Sequence, residues 1–224
     1  MWISRIDCAS LKAAPMYRPA HFQENDPATL AAFVDTHPLA VLVAAGPSGL
    51  VANHIPLLRL QNTGDQMILR GHVARGNDFW KTTPADSSVL AIFGGPDRYI
   101  SPAWYPTKAE TGEVVPTWNY LVVHAHGRIT FTQDPLWLRT LVEALTNRHE
   151  GARTRPWKVS DAPSEYVDRM LRAIVGFEIA VERLEGKFKA SQNRTERERA
   201  GAIAGLAADG DPQGLIAQIV RSNG

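Results

Sequence analysis

Short apolar runs and alternations dominate this chain, and helical spacing is confined to a few segments. Asp26–Pro27 predicts a helix start, with Asp as N-cap and Pro at the first helical position. Leu30, Phe33 and Val34 give that helix an apolar stripe, and His37–Pro38 ends it. Residues 39–45 are a continuous apolar run of strand length. Gly46–Pro47–Ser48–Gly49 predicts a turn, and residues 50–60 a second strand paired with the first. Pro56 lies inside that second run. Without an N–H it marks an edge, a bulge, or a place where a ligand replaces a strand partner.

Residues 62–65 predict another turn and residues 66–73 a third strand. Arg75–Gly76–Asn77 then leads into a short helical segment through Phe79, Trp80 and Lys81. Residues 87–93 predict a fourth strand, which Gly94–Gly95–Pro96 turns into a strand at residues 99–101. One helical turn is expected at residues 102–105 and a polar, mobile loop at residues 108–113. Residues 118–132 read as a long β segment with a bend at Gly127. Asp134–Pro135 caps a helix whose stripe is Leu138, Leu141, Val142 and Leu145. A short helix over residues 163–174, a closing strand over 175–184, and helices over 195–208 and 213–221 complete the pattern. Six or seven antiparallel strands precede most of the helices, and no Gly-rich dinucleotide fingerprint occurs. An antiparallel barrel with peripheral helices satisfies this order.

Composition narrows the function classes. The 224 residues are 44% hydrophobic and 21% charged, with a formal net charge of +1. That balance gives no general affinity for DNA or anionic membranes, although a local basic patch is compatible with it. No apolar run approaches membrane-spanning length. Cys8 is the one cysteine, so no intrachain disulfide forms and a reducing cytoplasm is expected. Residues 1–15 lack the apolar core of a secretory signal and read as a loose extension, as from an upstream start codon; Met16 opens the first well-patterned segment.

Candidate chemistry concentrates in a few places. Tyr99–Ile100–Ser101–Pro102–Ala103–Trp104–Tyr105 and Val115–Pro116–Thr117–Trp118–Asn119–Tyr120 mix aromatics with small polar residues. Such clusters suit a planar ligand with a polar rim; they equally suit core aromatics flanking a hairpin. Arg75, Gly76, Asn77 and Lys81 make an anion seat or a plain strand-to-helix connection. His124 and His126 share a strand face, but a metal site needs a third ligand and the sequence supplies no obvious one nearby. The run Gly186–Lys187–Phe188–Lys189–Ala190–Ser191–Gln192–Asn193–Arg194 meets a phosphate or a flavin edge, or is a solvated loop. The last two helices invite a helix-turn-helix reading, but the second offers only Gln218 and Arg221 as readers, and its apolar residues are better explained by packing. No nucleophile–base set, zinc cluster or P-loop appears, so the chemistry belongs to a bound cofactor.

These segments, with Met16–Tyr17–Arg18–Pro19, Asn53–His54–Ile55–Pro56 and Arg70–Gly71–His72–Val73–Ala74–Arg75–Gly76–Asn77, resemble the PaiB family of FMN-binding, transcriptional-regulator-like proteins. The resemblance spans residue 16 to about residue 208. The family is similar to the flavin split barrels, which include pyridoxamine-phosphate oxidases. The resemblance therefore implies a mainly β fold with peripheral helices, an antiparallel split β-barrel, and a homodimer with FMN at its interface. It implies a domain over 16–192, between the extension at 1–15, expected to be disordered, and a helical appendage at 193–224.

The resemblance also implies the cofactor contacts. Asn53, His54, Ile55 and Pro56 form a strand whose backbone meets the isoalloxazine edge. Ala74, Arg75, Asn77 and Lys81 seat the phosphate, with His72 on the preceding strand. Ser101, Trp104, Tyr105, Thr117, Trp118 and Asn119 touch ring or ribityl, some from the second subunit, and Lys189 and Gln192 add to them. Where the family carries a bulkier residue, this chain has Ala190. No side chain is singled out as catalytic. Three functions are expected to compete: a transcriptional regulator responding to flavin, an oxidoreductase acting on NAD(P)H, free flavin or another small molecule, and a flavin or haem carrier without turnover.

Overall fold

The structure is a computed structural model that describes residues 14–46, 49–60, 66–211 and 214–221. Residues 1–13 of the expected extension, with Cys8, lie outside the described residues. So do the expected turn at residues 62–65 and the middle of the one at 46–49.

Eight strands form one mainly antiparallel sheet: β1 (Gln23–Glu24), β2 (Leu39–Gly46), β3 (Gly49–Pro56), β4 (Leu58–Leu60), β5 (Ile68–Ala74), β6 (Ser87–Ile100), β7 (Thr117–Thr132) and β8 (Ile174–Lys189). The order is β3-β2-β6-β7-β8-β5-β4, with β1 on β8. Among the described residues there are seven α-helices: α1 (Pro27–Thr36), α2 (Phe79–Thr82), α3 (Thr107–Glu110), α4 (Pro135–Glu150), α5 (Ser164–Arg172), α6 (Glu196–Ala208) and α7 (Leu215–Arg221).

The run at residues 50–60 is two strands rather than one. Pro56 closes β3, opposite Leu39 of β2. Leu57 is buried and donates to the Pro38 carbonyl at 2.8 Å. Leu58 then opens β4, paired with Arg70 of β5 at the far end of the strand order. One residue thus joins the two ends of the sheet. The sheet curls round on itself without being hydrogen-bonded shut, which is the split barrel expected from the sequence.

Two further expectations fail for one reason. Gly94–Gly95–Pro96 is not a turn, because β6 runs straight through it. The residues from Gly186 to Lys189 are strand rather than loop. Neither Gly94, Gly95 nor Gly186 takes a positive φ, so the backbone there is ordinary strand and glycine's freedom goes unused. Gly186 is small because β1 and α1 come close: a Cβ there would lie 2.4 Å from Leu30. Residues 107–110 are the short helix α3, which takes up the start of the loop expected at residues 108–113.

The chain forms two compact units. The first holds Val34–Phe93 and Ala125–Leu184. Its core stacks Phe79, Phe131 and Phe177 edge to face, at centroid separations of 5.8 and 6.3 Å. Leu138, Val159, Val167 and Leu171 bind α4 to α5, and Leu58, Leu141 and Leu145 bind α4 to β4. Asp134 caps α4 as expected, accepting from Leu136 N–H at 3.0 Å.

The second unit holds Pro15–Phe33, Gly94–His124 and Glu185 onward. Asp26 starts α1 by accepting from Thr29 N–H at 2.8 Å. Glu185 is buried, accepts from Met16 N–H at 3.0 Å, and faces Arg18 at 3.8 Å. Thr195 and Glu198 cap α6 reciprocally, which satisfies two N–H groups the helix would otherwise leave open. Gly201 and Gly205 lie one turn apart on α6 and form a notch. A Cβ on Gly201 would sit 2.1 Å from the Trp104 carbonyl, and one on Gly205 would sit 2.2 Å from the Trp104 ring. Ala202 and Leu206 of α6, with Leu215 and Ile219 of α7, are buried in the same unit.

The notch yields a stability prediction. Gly201→Ala pushes a methyl into backbone that cannot swing aside, and overpacking of this kind costs about 1–3 kcal/mol. Gly76→Ala meets open space within 4 Å and serves as the control, expected within about 0.5 kcal/mol of the parent. Urea denaturation of the two variants measures the difference.

Candidate functional site

The expected site residues fall into two groups, one in each unit. The first unit carries Asn53, His54, Ile55, Pro56, His72, Ala74, Arg75, Asn77 and Lys81. β3 is an end strand of the sheet, so one of its edges has no strand partner among the described residues. Asn53 and Ile55 turn inward there, whereas His54 and Pro56 are exposed. Asn77 Nδ2 donates to Asn53 Oδ1 at 2.7 Å, and Asn77 Oδ1 accepts from Phe79 N–H at 2.9 Å. One side chain thereby ties β3, the turn after β5 and the start of α2 together. The amide nitrogen of Asn53 is left buried with no hydrogen-bond partner.

Arg75 is held from all sides by neutral acceptors. Its guanidinium donates to the carbonyls of Arg172 and Ile174 and to Gln133 Oε1. Its own N–H donates to the Ala173 carbonyl at 2.8 Å, and its carbonyl accepts from the Trp80 indole at 3.0 Å. Three of the five guanidinium N–H groups are engaged, and none of these partners carries charge, so the cation keeps two donors and its full charge. Lys81 differs: it pairs with Asp78 at 2.9 Å, in the open. His72, on β5, lies against an apolar cavity of about 240 Å³ bounded by Val142, Trp157, Tyr166 and Met170. Its Nδ1 has no partner, and burial pushes the imidazole below the usual histidine range.

The second unit carries Ser101, Trp104, Tyr105, Thr117, Trp118, Asn119, Lys189 and Gln192. Tyr105, Thr117, Asn119 and Lys189 meet around a cavity of about 140 Å³. Asn119 is fully buried; its Nδ2 donates to Ser191 Oγ at 2.9 Å, and its Oδ1 has no partner. Ser191 takes a φ of +65°, unusual for a residue with a side chain, and that turn brings its hydroxyl to Asn119. Lys189 donates to the Thr117 hydroxyl. Burial, and then the charges of Lys187 and Arg194, push the Lys189 amine below the usual lysine range. Burial pushes the Tyr105 phenol up, and Arg194 lies 4.8 Å from its ring centroid. Ser191 and Arg194 are near the Tyr105 hydroxyl, but neither reaches it in hydrogen-bonding geometry.

The remaining four play other parts. Ser101 caps the turn at Pro102–Trp104, accepting from Ala103 N–H at 3.2 Å. Trp104 fills the glycine notch of α6. Trp118 is exposed and meets Tyr99 edge to face at 6.1 Å. Gln192 folds back on the backbone of Phe188 and Ala190, holding the turn that presents Ser191. The sequence offers Ser191 and Arg194 only as members of the run 186–194 and singles out neither, and it gives no sign of Gln133, Arg172 and Ile174 behind Arg75. The basic run at the end of β8 was the available signal for the first two; the last three lie 58 or more residues from Arg75 and left none.

The split-barrel fold and this polar-rimmed chemistry define a flavin-binding class. The family described as "Putative FMN-binding domain" matches residues 16–183, so the chain belongs to that family, and FMN is the cofactor that membership supports. Uncharacterized protein AN0679 of Emericella nidulans is 34% identical, over 93% of this chain and 98% of its own. Protease synthase and sporulation protein PAI 2 of Bacillus subtilis is 32% identical, over 88% of this chain and 92% of its own, in line with the PaiB resemblance. Among solved structures, the FAD and heme binding protein from Mycobacterium smegmatis shares the fold, with a TM-score of 0.53 at 17% identity over 75% of this chain and 73% of that one.

The residues present fit FMN. Four expected contacts, Asn53, His72, Tyr105 and Asn119, each hold a buried polar atom with no partner. Leaving such an atom unpaired costs about 1–3 kcal/mol, and an occupant that pairs it offsets that cost. Arg75 adds a positioned cation.

His72 gives a pH prediction. Its folded pKa lies below its unfolded value, so on acidification below about 6.5 the unfolded chain takes up the proton first. Stability therefore falls as pH drops through that window. His72→Gln flattens this part of the profile, read as urea midpoints between pH 7.5 and 5.

Proposed function

We propose that the protein is a homodimeric FMN-dependent oxidoreductase acting on a small molecule. The observation that carries this reading is the pair of half-sites. One carries Arg75, a cation held by uncharged partners, and an Asn53 amide in need of an acceptor; the other presents Tyr105, Asn119 and Lys189. Asn53 to Pro56 supply an unpaired strand edge to the isoalloxazine. Ala74, Arg75, Asn77 and Lys81 seat the phosphate, with Arg75 its principal charge. Asn77 keeps Asn53 in place, and Gln192 keeps the turn of the second half-site. FMN, when bound, supplies hydride or electron transfer. Exposed Leu39 and Leu50 in the first unit, and Val115 and Trp118 in the second, support a covering second copy. A single cysteine supports a reducing, cytoplasmic setting. Among the described residues no helix is long and apolar enough to cross a membrane.

A second reading, a transcriptional regulator responding to FMN, is favoured by the likeness to the sporulation protein of B. subtilis. It asks α7 to read DNA, and that helix buries Leu215 and Ile219 and carries one basic residue, Arg221. The oxidoreductase reading asks nothing more of the fold.

Titration with FMN and with riboflavin, each followed by visible absorbance and light scattering, tests the proposal. We expect a dimer that binds FMN and bleaches anaerobically with NAD(P)H. Arg75→Gln weakens FMN about 10- to 100-fold, the loss of a charge-assisted bond, and leaves riboflavin affinity unchanged. A protein that takes up no flavin overturns every flavin reading. A yellow protein inert to NAD(P)H is a carrier, unless it also binds DNA with a steep salt dependence, which makes it the regulator.

A further inference from the structure

We propose that the cavity of the second unit binds a small 2-hydroxy carboxylate, with the carboxylate at Lys189 and Arg194 and the neighbouring hydroxyl donating to Asn119. The cavity, of about 140 Å³, admits a few heavy atoms. It is well below the ~300–1,000 Å³ that encloses a drug-sized ligand, so a molecule fully enclosed in it is smaller than a flavin, while the rim residues remain open to one.

The lining dictates the chemistry. Asn119 is fully buried, and its Oδ1 calls for a donor from the occupant. Tyr105 is 2% exposed, and its hydroxyl is free to donate to an oxygen. Lys189 spends one hydrogen bond on a neutral hydroxyl, and its charged neighbours Lys187 and Arg194 are both cations, so an anionic oxygen is what this corner lacks. Arg194 is partly balanced by Glu198 at 3.6 Å, which leaves Lys189 as the main charge. One donor beside two acceptor oxygens is the pattern of a 2-hydroxy acid. A phosphate monoester dianion offers only acceptors and sets an oxygen against Asn119 Oδ1, whereas inorganic phosphate keeps one P–OH donor and is therefore a direct competitor in the test below. A 2-amino acid adds a third cation to Lys189 and Arg194. An unsubstituted carboxylate leaves Asn119 unpaired.

This goes beyond the proposed function by assigning a binding site; it claims no redox step, and it requires no flavin to be tested. Lactate, acetate, alanine and inorganic phosphate are titrated calorimetrically into the full-length protein as purified and again after saturation with FMN. Lactate is expected to bind about tenfold or more tighter than acetate, the difference made by pairing a buried acceptor. Lys189→Gln weakens lactate about tenfold or more, and Asn119→Asp removes the preference for lactate over acetate. Should the Asn119 variant fail to fold, the comparison of ligands on the parent protein and on Lys189→Gln decides alone. Equal binding of acetate and lactate, tighter binding of phosphate or alanine, or no binding of lactate overturns the proposal. If FMN displaces lactate, the cavity belongs to the cofactor; this inference falls and the flavin reading stands. If lactate binds and FMN does not, the flavin reading falls and this one stands.

Discussion

The hydrogen bond between Asn119 and Ser191 is the constraint on which the second half-site rests. It is made in a fully buried place, where an amide must be paired or suffer the loss of water. It fixes Ser191 in the left-handed region and so sets the direction in which the chain leaves β8. Lys189 before that turn and Arg194 after it are brought to one cavity as a result. The Gln192 side chain ties the same turn to the backbone of Phe188 and Ala190. A strained residue and a half-paired amide side by side are seldom kept for stability alone.

The first half-site is built by a different means. Arg75 is immobilised by two backbone carbonyls and one side-chain amide, and none of these three partners is a carboxylate. A salt bridge would have fixed it as firmly but cancelled its field. Lys81 nearby took that second course, with Asp78. Two cations close in sequence thus differ in what they offer an anion, and only geometry tells them apart.

Local signals in the sequence were reliable where the interaction is itself local. Asp26–Pro27 and Asp134–Pro135 each start a helix within a few residues of its cap. Glycine misled, because a glycine kept for room looks identical to one kept for a turn: Gly94 and Gly95 run through β6, and Gly186 makes space for Leu30. Pro56 reads in the sequence as an edge, a bulge or a place where a ligand replaces a strand partner, but its place between the two ends of the sheet depends on partners at residues 38 and 70, which no periodicity reveals. The site followed the same division. Tyr105, Thr117, Asn119 and Lys189 were legible as polar residues among aromatics and meet in space; the supports of Arg75 were not, since they come from far along the chain.

Pro56 has a consequence for how molecules of this chain behave in a crowd. β3 carries the exposed Leu50 along the rim of the sheet, the kind of border on which foreign strands can zip and fibres can grow. An imino acid at the end of that border cannot donate to an incoming ladder, and the chain turns inward at once through Leu57. The same kink that joins the two ends of the barrel therefore also limits how far a foreign strand can pair along this rim.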